Sequence, residues 1–134
     1  MKISLEQRGG SYTLHSYRDG AIRVIPPGAT PGDDEKLISI SGSCLVSPGR
    51  LVPGWMPQRL EELGTEHLQA IRELEPEVLL LGSGDRLRFP RGEQLALLVG
   101  LGVGYEVMDT AAACRTYNVL VAEGRRVVAA LFTE

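Results

Sequence analysis

The chain has 134 residues, of which 43% are apolar and 23% charged, and this size and composition predict a single domain over residues 1–134. Its formal net charge of −3, with arginines scattered singly, argues against a nucleic-acid-binding surface, which needs a basic patch. No apolar run approaches bilayer length, and the N-terminal stretch lacks the apolar core of a secretory signal. We therefore expect a cytoplasmic protein without membrane insertion.

The first part of the chain has the pattern of short β-strands. The predicted strands are Tyr12–Tyr17, Ala21–Ile25, Leu37–Ile40 and Ser43–Val46. The first two flank a turn at Arg18–Gly20, which predicts an N-terminal β-hairpin that extends or covers the main sheet. A turn-rich loop, Pro26–Asp34, separates the two pairs, and Gly42 interrupts the second pair. Residues 47–57 are expected to form an irregular connection.

Strands and helices alternate in the rest of the chain. The predicted elements are a helical turn at Gln58–Leu63, a helix from an N-cap at Thr65 to Glu75, a strand Val78–Leu81, a helix Glu93–Val99, a strand Tyr105–Met108, a helix Ala111–Ala122 and a strand Arg126–Phe132. The run Val78–Leu81 is apolar without alternation, as is typical of a strand covered on both faces of a parallel sheet. This order predicts the α/β class with right-handed crossovers.

The first candidate site is the glycine loop Gly82, Ser83, Gly84 and Asp85, which follows that apolar strand. Ligands of α/β proteins bind beyond the carboxyl ends of strands, where glycines let backbone N–H groups approach an anion. The further glycine of a dinucleotide fingerprint and the lysine of a phosphate-binding loop do not follow, so a tight turn of small residues is the favoured alternative. Asp85 and Asp109 both follow strands and could pair, although helix capping accounts for Asp109.

The second candidate site is the polar face of the last helix. Asp109 or Thr110 is expected to cap this helix, and Arg115, Thr116 and Asn118 lie within it. Threonine and asparagine are poor helix formers, which favours a functional reason for their presence. The alternative is a solvated or interface arginine beside an asparagine that bonds locally.

The remaining reactive or conspicuous side chains predict no catalytic constellation. His15 and His67 have no ligand at metal-binding spacing, so we expect neither a metal nor a cofactor. Cys44 and Cys114 are predicted to be buried, reduced thiols. Trp55 lies in a proline- and glycine-rich loop, where it either packs on the core or marks an interaction surface. The core is favoured because the chain has few other aromatic residues.

The run Gly104–Asn118, continuing into Glu123–Leu131, resembles the family of NADH dehydrogenase (complex I) assembly factor 3 and the adipogenesis-associated Mth domain proteins. Two other features agree with this resemblance: a Gly-Ser-Gly that follows an apolar strand, and Trp55, which follows Pro-Gly. The resemblance implies a three-layer α/β fold with a central, mostly parallel sheet, and a non-enzymatic role as a protein partner in assembling the complex I peripheral arm. The family's characteristic positions here are Gly82, Ser83, Gly84, Asp109, Thr110, Arg115, Thr116, Tyr117 and Asn118.

Three functional hypotheses follow. The leading one is a non-enzymatic protein-interaction or assembly module for a respiratory or other membrane complex, acting from the cytoplasmic side. The alternative is a small-molecule or anion-binding protein, with or without enzymatic turnover, whose site lies between Gly82–Asp85 and the start of the Asp109 helix. The third is a homodimer in which the polar helix face is the interface.

Overall fold

The structure, a computed structural model, describes residues 10–30 and 32–134. The N-terminal stretch considered above for a signal, and Pro31 of the predicted loop, therefore lie outside the described residues. The strands are β1 (Thr13–Arg18), β2 (Ala21–Ile25), β3 (Ile38–Ser41), β4 (Cys44–Ser47), β5 (Arg50–Pro53), β6 (Val78–Gly82), β7 (Gly104–Met108) and β8 (Val127–Leu131). The helices are α1 (Thr65–Glu73), α2 (Glu93–Gly100) and α3 (Thr110–Ala122), with short 3-10 turns at Asp34–Lys36 and Leu60–Glu62.

The strands form two sheets, which confirms the α/β class but corrects the predicted strand arrangement. The larger sheet has the order β5-β4-β8-β6-β7 and is mixed rather than mostly parallel. Strand β6 is parallel to β7 and β8, because α2 and α3 provide the crossovers that parallel neighbours require. Strand β4 is antiparallel to β8 and to β5. Strand β5 lies within the stretch predicted to be irregular, where Pro53 and Gly54 obscured its pattern.

The predicted N-terminal hairpin is present as β1 and β2, with a bulge between Leu14 and Ser16. It does not extend the larger sheet, because β3 adds to β2 and completes a separate antiparallel sheet of three strands. Gly42, with φ +92°, lies where the chain passes from this sheet into the larger one. Glycine adopts that left-handed conformation at little cost, so the predicted interruption marks a change of sheet.

The larger sheet is covered on both faces. Leu80 of β6 packs in one core with α3 and the three-stranded sheet. Its neighbours Leu79 and Leu81 point to the other face and pack in a second core with α1 and α2. Successive side chains of a strand point to opposite faces, so a strand between two cores must be apolar at every position. This explains the uninterrupted apolar run that the sequence analysis used.

Helix ends follow local capping chemistry. The Asp109 carboxylate accepts the Ala112 N–H at 2.8 Å, so Asp109 is the N-cap of α3, while Gly124 at φ +80° follows its last turn. Helix α1 begins at Thr65, but its N-cap is Gly64 rather than Thr65. The Gly64 N–H donates to Nδ1 of His67 at 2.9 Å, which satisfies a backbone donor in place of a side-chain cap.

The glycine loop and a candidate interaction surface

The glycine loop is joined to α3 and to the end of the chain by hydrogen bonds. The Thr110 hydroxyl, fully buried, accepts the Gly84 N–H at 2.8 Å and donates to the Phe132 carbonyl at 2.6 Å. The Thr110 N–H donates to the Gly84 carbonyl at 2.9 Å, and the Asp85 N–H donates to the Glu134 carbonyl at 3.2 Å. The structure therefore brings the loop and the start of α3 together, and it already uses the Gly84 and Asp85 N–H groups.

Both glycines of the loop are required by close packing. A Cβ atom on Gly84 would lie 1.8 Å from the Glu134 carbonyl oxygen, and its φ of +109° also disfavours other residues. A Cβ atom on Gly82 would lie 2.9 Å from Cδ2 of Leu131 and from Oγ1 of Thr110. The approach of these chain segments accounts for the glycines without a ligand.

Ser83 organises the connection that follows the glycine loop. Its buried hydroxyl donates to the Arg86 carbonyl at 2.6 Å and accepts the Arg88 N–H at 3.0 Å. These two bonds fold residues 83–88 into a compact turn. Ser83 therefore shapes the next surface loop rather than facing an open site.

Asp85 is exposed and is linked to the small sheet rather than to Asp109. Its carboxylate accepts a hydrogen bond from the Tyr17 hydroxyl of β1. Burial, together with this hydrogen bond, raises the pKa of Tyr17 above its usual value. Asp85 and Asp109, which the sequence left open as a pair, make two separate contacts: Asp85 binds a tyrosine, and Asp109 caps a helix N-terminus as expected.

The polar face of α3 supports the outer edge of β1. The side-chain oxygen of Asn118 accepts the Leu14 N–H at 2.8 Å, and its amide donates to the Leu14 carbonyl at 2.7 Å. The Tyr117 hydroxyl donates to the Tyr12 carbonyl at 2.8 Å. The two side chains satisfy backbone groups that a neighbouring strand would otherwise bind. Asn118 is therefore explained by the fold.

Arg115 and Thr116 are not drawn into these contacts. Arg115 is exposed on α3 and Thr116 is half-buried. Within the described part of the chain, the side chains of these two residues form no hydrogen bond and no ion pair. The candidate residues of α3 thus divide into those that bond within the fold and two, Arg115 and Thr116, that do not.

Trp55 lies in the core, which corrects its alternative assignment to an interaction surface. Its side chain is 4% exposed, and its ring packs against Phe132 with a centroid distance of 5.6 Å and edge-on to His67 at 6.3 Å. Its indole N–H donates to the His67 carbonyl at 3.2 Å. A buried tryptophan with its N–H satisfied is a packing residue.

Both cysteines, Cys44 and Cys114, are buried. Burial raises the pKa of Cys44 and of Cys114 to about 12, so neither thiol ionises near neutral pH. Among residues 10–30 and 32–134, no three His, Cys, Asp or Glu side chains are grouped so that they could hold a metal ion. In the same residues no helix has the length and apolar character to cross a bilayer.

The most unusual surface is formed by residues 86–99, here called the arginine–apolar segment. It joins β6 to α2 and includes most of α2. Four of the seven large apolar side chains exposed in the described chain lie in it: Leu87, Phe89, Leu95 and Val99. Its loop also borders a groove of about 590 Å³ against Leu60 and Glu61.

The sequence analysis predicted the helix Glu93–Val99 but did not identify this surface. In the structure Leu98 is the fully buried residue of α2, whereas Leu95 and Val99 are exposed. An available signal was the all-round apolar character of α2, since a surface helix of a globular protein normally carries a polar face. An apolar helix with one buried residue leaves a face that no other described residue covers.

The family profile described as a protein of unknown function (DUF498/DUF598) matches residues 15–132. The chain is 36% identical over 94 residues to NADH dehydrogenase (ubiquinone) 1 alpha subcomplex assembly factor 3 of Xenopus tropicalis, covering 69% of this chain and 51% of that protein. It is 30% identical over 135 residues to the Danio rerio protein of the same name, covering 92% and 78%. The chain thus spans about half the length of the Xenopus relative.

The fold agrees with this relationship. The solution structure of a Bordetella pertussis protein, a Mth938-like domain, matches with a TM-score of 0.69 at 32% identity, over 98% of this chain and 92% of that one. The resemblance found in the sequence is therefore confirmed. The chain belongs to the DUF498/DUF598 family, the Mth938-like family that includes complex I assembly factor 3.

Proposed function

We propose that this protein is an interaction module, acting as one domain, that helps to assemble a respiratory membrane complex from the cytoplasmic side without turnover of its own. The relatives named as complex I assembly factors support the assembly role. The observation that carries the interaction role is the arginine–apolar segment, where exposed apolar side chains are concentrated. Apolar side chains concentrated on one part of a protein surface are typical of protein-binding sites.

The alternative of an anion or small-molecule site at Gly82–Asp85 stays a prediction. The N–H of Gly84 donates to Thr110, and that of Asp85 donates to Glu134. An anion at this loop would have to displace those acceptors, which are part of the packing of the chain end. The homodimer hypothesis also stays a prediction.

The assembly role is tested by deleting the gene in its native host and measuring the amount of assembled respiratory complex on native gels stained for NADH oxidation. We expect the deletion to lower the assembled complex and a plasmid copy of the wild type to restore it. Normal assembly in the deletion strain would refute the assembly role.

Three variants separate the two sites. Asp85→Asn and Arg115→Ala change exposed polar groups of the predicted pocket, and we expect both to restore assembly. Leu87→Ser combined with Phe89→Ser changes the arginine–apolar segment, and we expect it to fail. The reverse result would favour the glycine loop as the functional site.

A further inference from the structure

We propose that the arginine–apolar segment docks a protein partner that presents an apolar pocket bordered by carboxylates, with Phe89 as the anchor. This proposal rests on the proposed function and specifies the chemistry of the partner. It follows from three features of residues 86–99: the exposed apolar side chains, the arginines between them, and the contacts that hold the loop in place.

The apolar part has two pieces. Phe89 is 62% exposed and Leu87 is 53% exposed in the loop before α2. Leu95 and Val99 are four residues apart on α2 and therefore lie on one side of that helix. The gain from covering apolar area grows with the area covered, and a large aromatic side chain supplies the greatest area per residue. Phe89 is thus the side chain that gains most from a pocket.

In the loop 86–92, all the charged side chains are arginines. Residues 86–92 contain Arg86, Arg88 and Arg91 and no acidic residue. Arg88 lies 3.4 Å from Glu61, whereas Arg86 and Arg91 form no ion pair with the described residues. Arginine is enriched at protein interfaces and binds carboxylates through two parallel N–H groups. The charges that complement this loop are therefore carboxylates beside the apolar pocket.

A protein fits this surface better than an anionic bilayer. Glu61 contacts the loop through Arg88, Glu93 directly follows the loop in sequence, and both are exposed. Their negative charges would oppose an anionic membrane surface, which attracts basic segments. A protein can match a mixed pattern of charges residue by residue.

The loop is also held in a defined conformation before any partner binds. Ser83 bonds the backbone of Arg86 and Arg88, and the Gln94 side chain donates to the Glu61 carbonyl at 3.0 Å. An ordered loop loses less conformational entropy on association than a mobile one. These contacts make the exposed apolar side chains a ready docking surface.

The test uses a photoreactive benzoylphenylalanine in place of Phe89, in the full chain expressed in its native host. A second chain carries the same group in place of Val119, which is 55% exposed on α3 and serves as the matched control. Crosslinked peptides are identified by mass spectrometry. We expect the position-89 probe to capture one protein at a peptide rich in Asp, Glu and apolar residues, and the position-119 probe not to capture it.

Charge reversal tests the carboxylates. Arg86→Glu with Arg91→Glu should lower the crosslink yield by about tenfold or more, since each charge pair becomes a like-charge contact. Arg18→Glu with Arg72→Glu reverses two exposed arginines elsewhere and should leave the yield unchanged. Thermal melting of each variant checks that the fold is retained. Equal yields from the two double variants would overturn the proposed partner chemistry.

The remaining outcomes of these experiments also test the proposal. No crosslink at position 89, a crosslink to a second copy of this chain, or a crosslink to lipid overturns the proposal. The proposal is also overturned if the purified protein floats with phosphatidylcholine–phosphatidylglycerol vesicles and the Leu87→Ser/Phe89→Ser variant does not. Capture of an acidic partner outside the respiratory complexes would support the docking surface but count against the proposed function. Full restoration of assembly by Phe89→Ser would overturn the docking surface alone.

Discussion

Replacing Asn118 with alanine tests whether this side chain holds the outer edge of β1 to α3. In the wild type its amide accepts the Leu14 N–H at 2.8 Å and donates to the Leu14 carbonyl at 2.7 Å. Alanine removes both partners. Leu14 is only 3% exposed, so water replaces them poorly. The variant should therefore be less stable because two backbone groups at the sheet edge are left without partners.

The magnitude follows from the two hydrogen bonds. A typical bond contributes about 0.5–1.5 kcal/mol, and a buried group left unpaired costs about 1–3 kcal/mol. Because the Leu14 N–H and carbonyl are both partly buried, we expect losing their partners to lower the free energy of unfolding by about 2–4 kcal/mol. Alanine is the better helix former by roughly 0.5 kcal/mol, which offsets part of this loss. The net prediction is a decrease of about 2–3 kcal/mol in the free energy of unfolding, a large share of the roughly 5–15 kcal/mol of an ordinary domain.

Urea denaturation followed by circular dichroism measures this difference, and amide hydrogen exchange at Leu14 locates it. Asn118→Asp keeps an acceptor for the N–H but places a carboxylate against the Leu14 carbonyl, so it should also be destabilised. Arg115→Ala, on the exposed side of the same helix, is the matched control and should change the stability by less than about 0.5 kcal/mol. The reasoning is refuted if Asn118→Ala unfolds like the wild type, or if the Leu14 amide exchanges equally slowly in both.

Three further predictions concern the glycine loop and the buried thiols. Thr110→Val leaves the Gly84 N–H without its acceptor and should lower the free energy of unfolding by about 2–4 kcal/mol in urea denaturation. Thr110→Ser keeps the hydroxyl and should retain most of the wild-type stability. Equal losses of stability in the two variants would contradict a role for the hydroxyl. Gly84→Ala places a Cβ atom against the Glu134 carbonyl, so it should lower the free energy of unfolding by more than about 2 kcal/mol and speed hydrogen exchange of the Asp85 amide. A variant as stable as the wild type would show that the close approach of Gly84 to Glu134 is dispensable. Burial raises the pKa of both cysteine thiols from near 9 to about 12, so the contribution of the protonated thiols to stability is complete below pH 9 and falls as the pH rises towards 12. The free energy of unfolding, measured across that range, should therefore decline with pH, and the decline should be shallower in Cys44→Ala/Cys114→Ala. An equally steep decline in that variant would contradict burial of the thiols as the cause.

Elements with a strong local pattern were predicted well from the sequence. The buried strand β6, the helix α3 with its Asp109 cap and the family of the chain were all recognised. Each depends on neighbouring residues, through alternation, helical spacing or capping. Strand β5 was missed because it is short, carries a proline and owes its place to pairing with β4.

The candidate site depended on contacts that no local pattern contains. Asn118 was singled out as an unusual helix residue, but its partner Leu14 lies 104 residues away. Thr110 was proposed as a cap or pocket residue, and the structure shows it joining Gly84 to Phe132.

By itself, the sequence determined the α/β class, most helix and strand positions and the family, because these follow from the local order of apolar, polar and glycine residues. Only the tertiary structure decided which strands share a sheet, which polar residues bond within the fold, and which apolar residues stay exposed. Leu95 and Leu98 on α2 are indistinguishable by residue type, yet one faces solvent and the other the core. Exposure is decided by what packs against each side of the helix, and that depends on the whole chain.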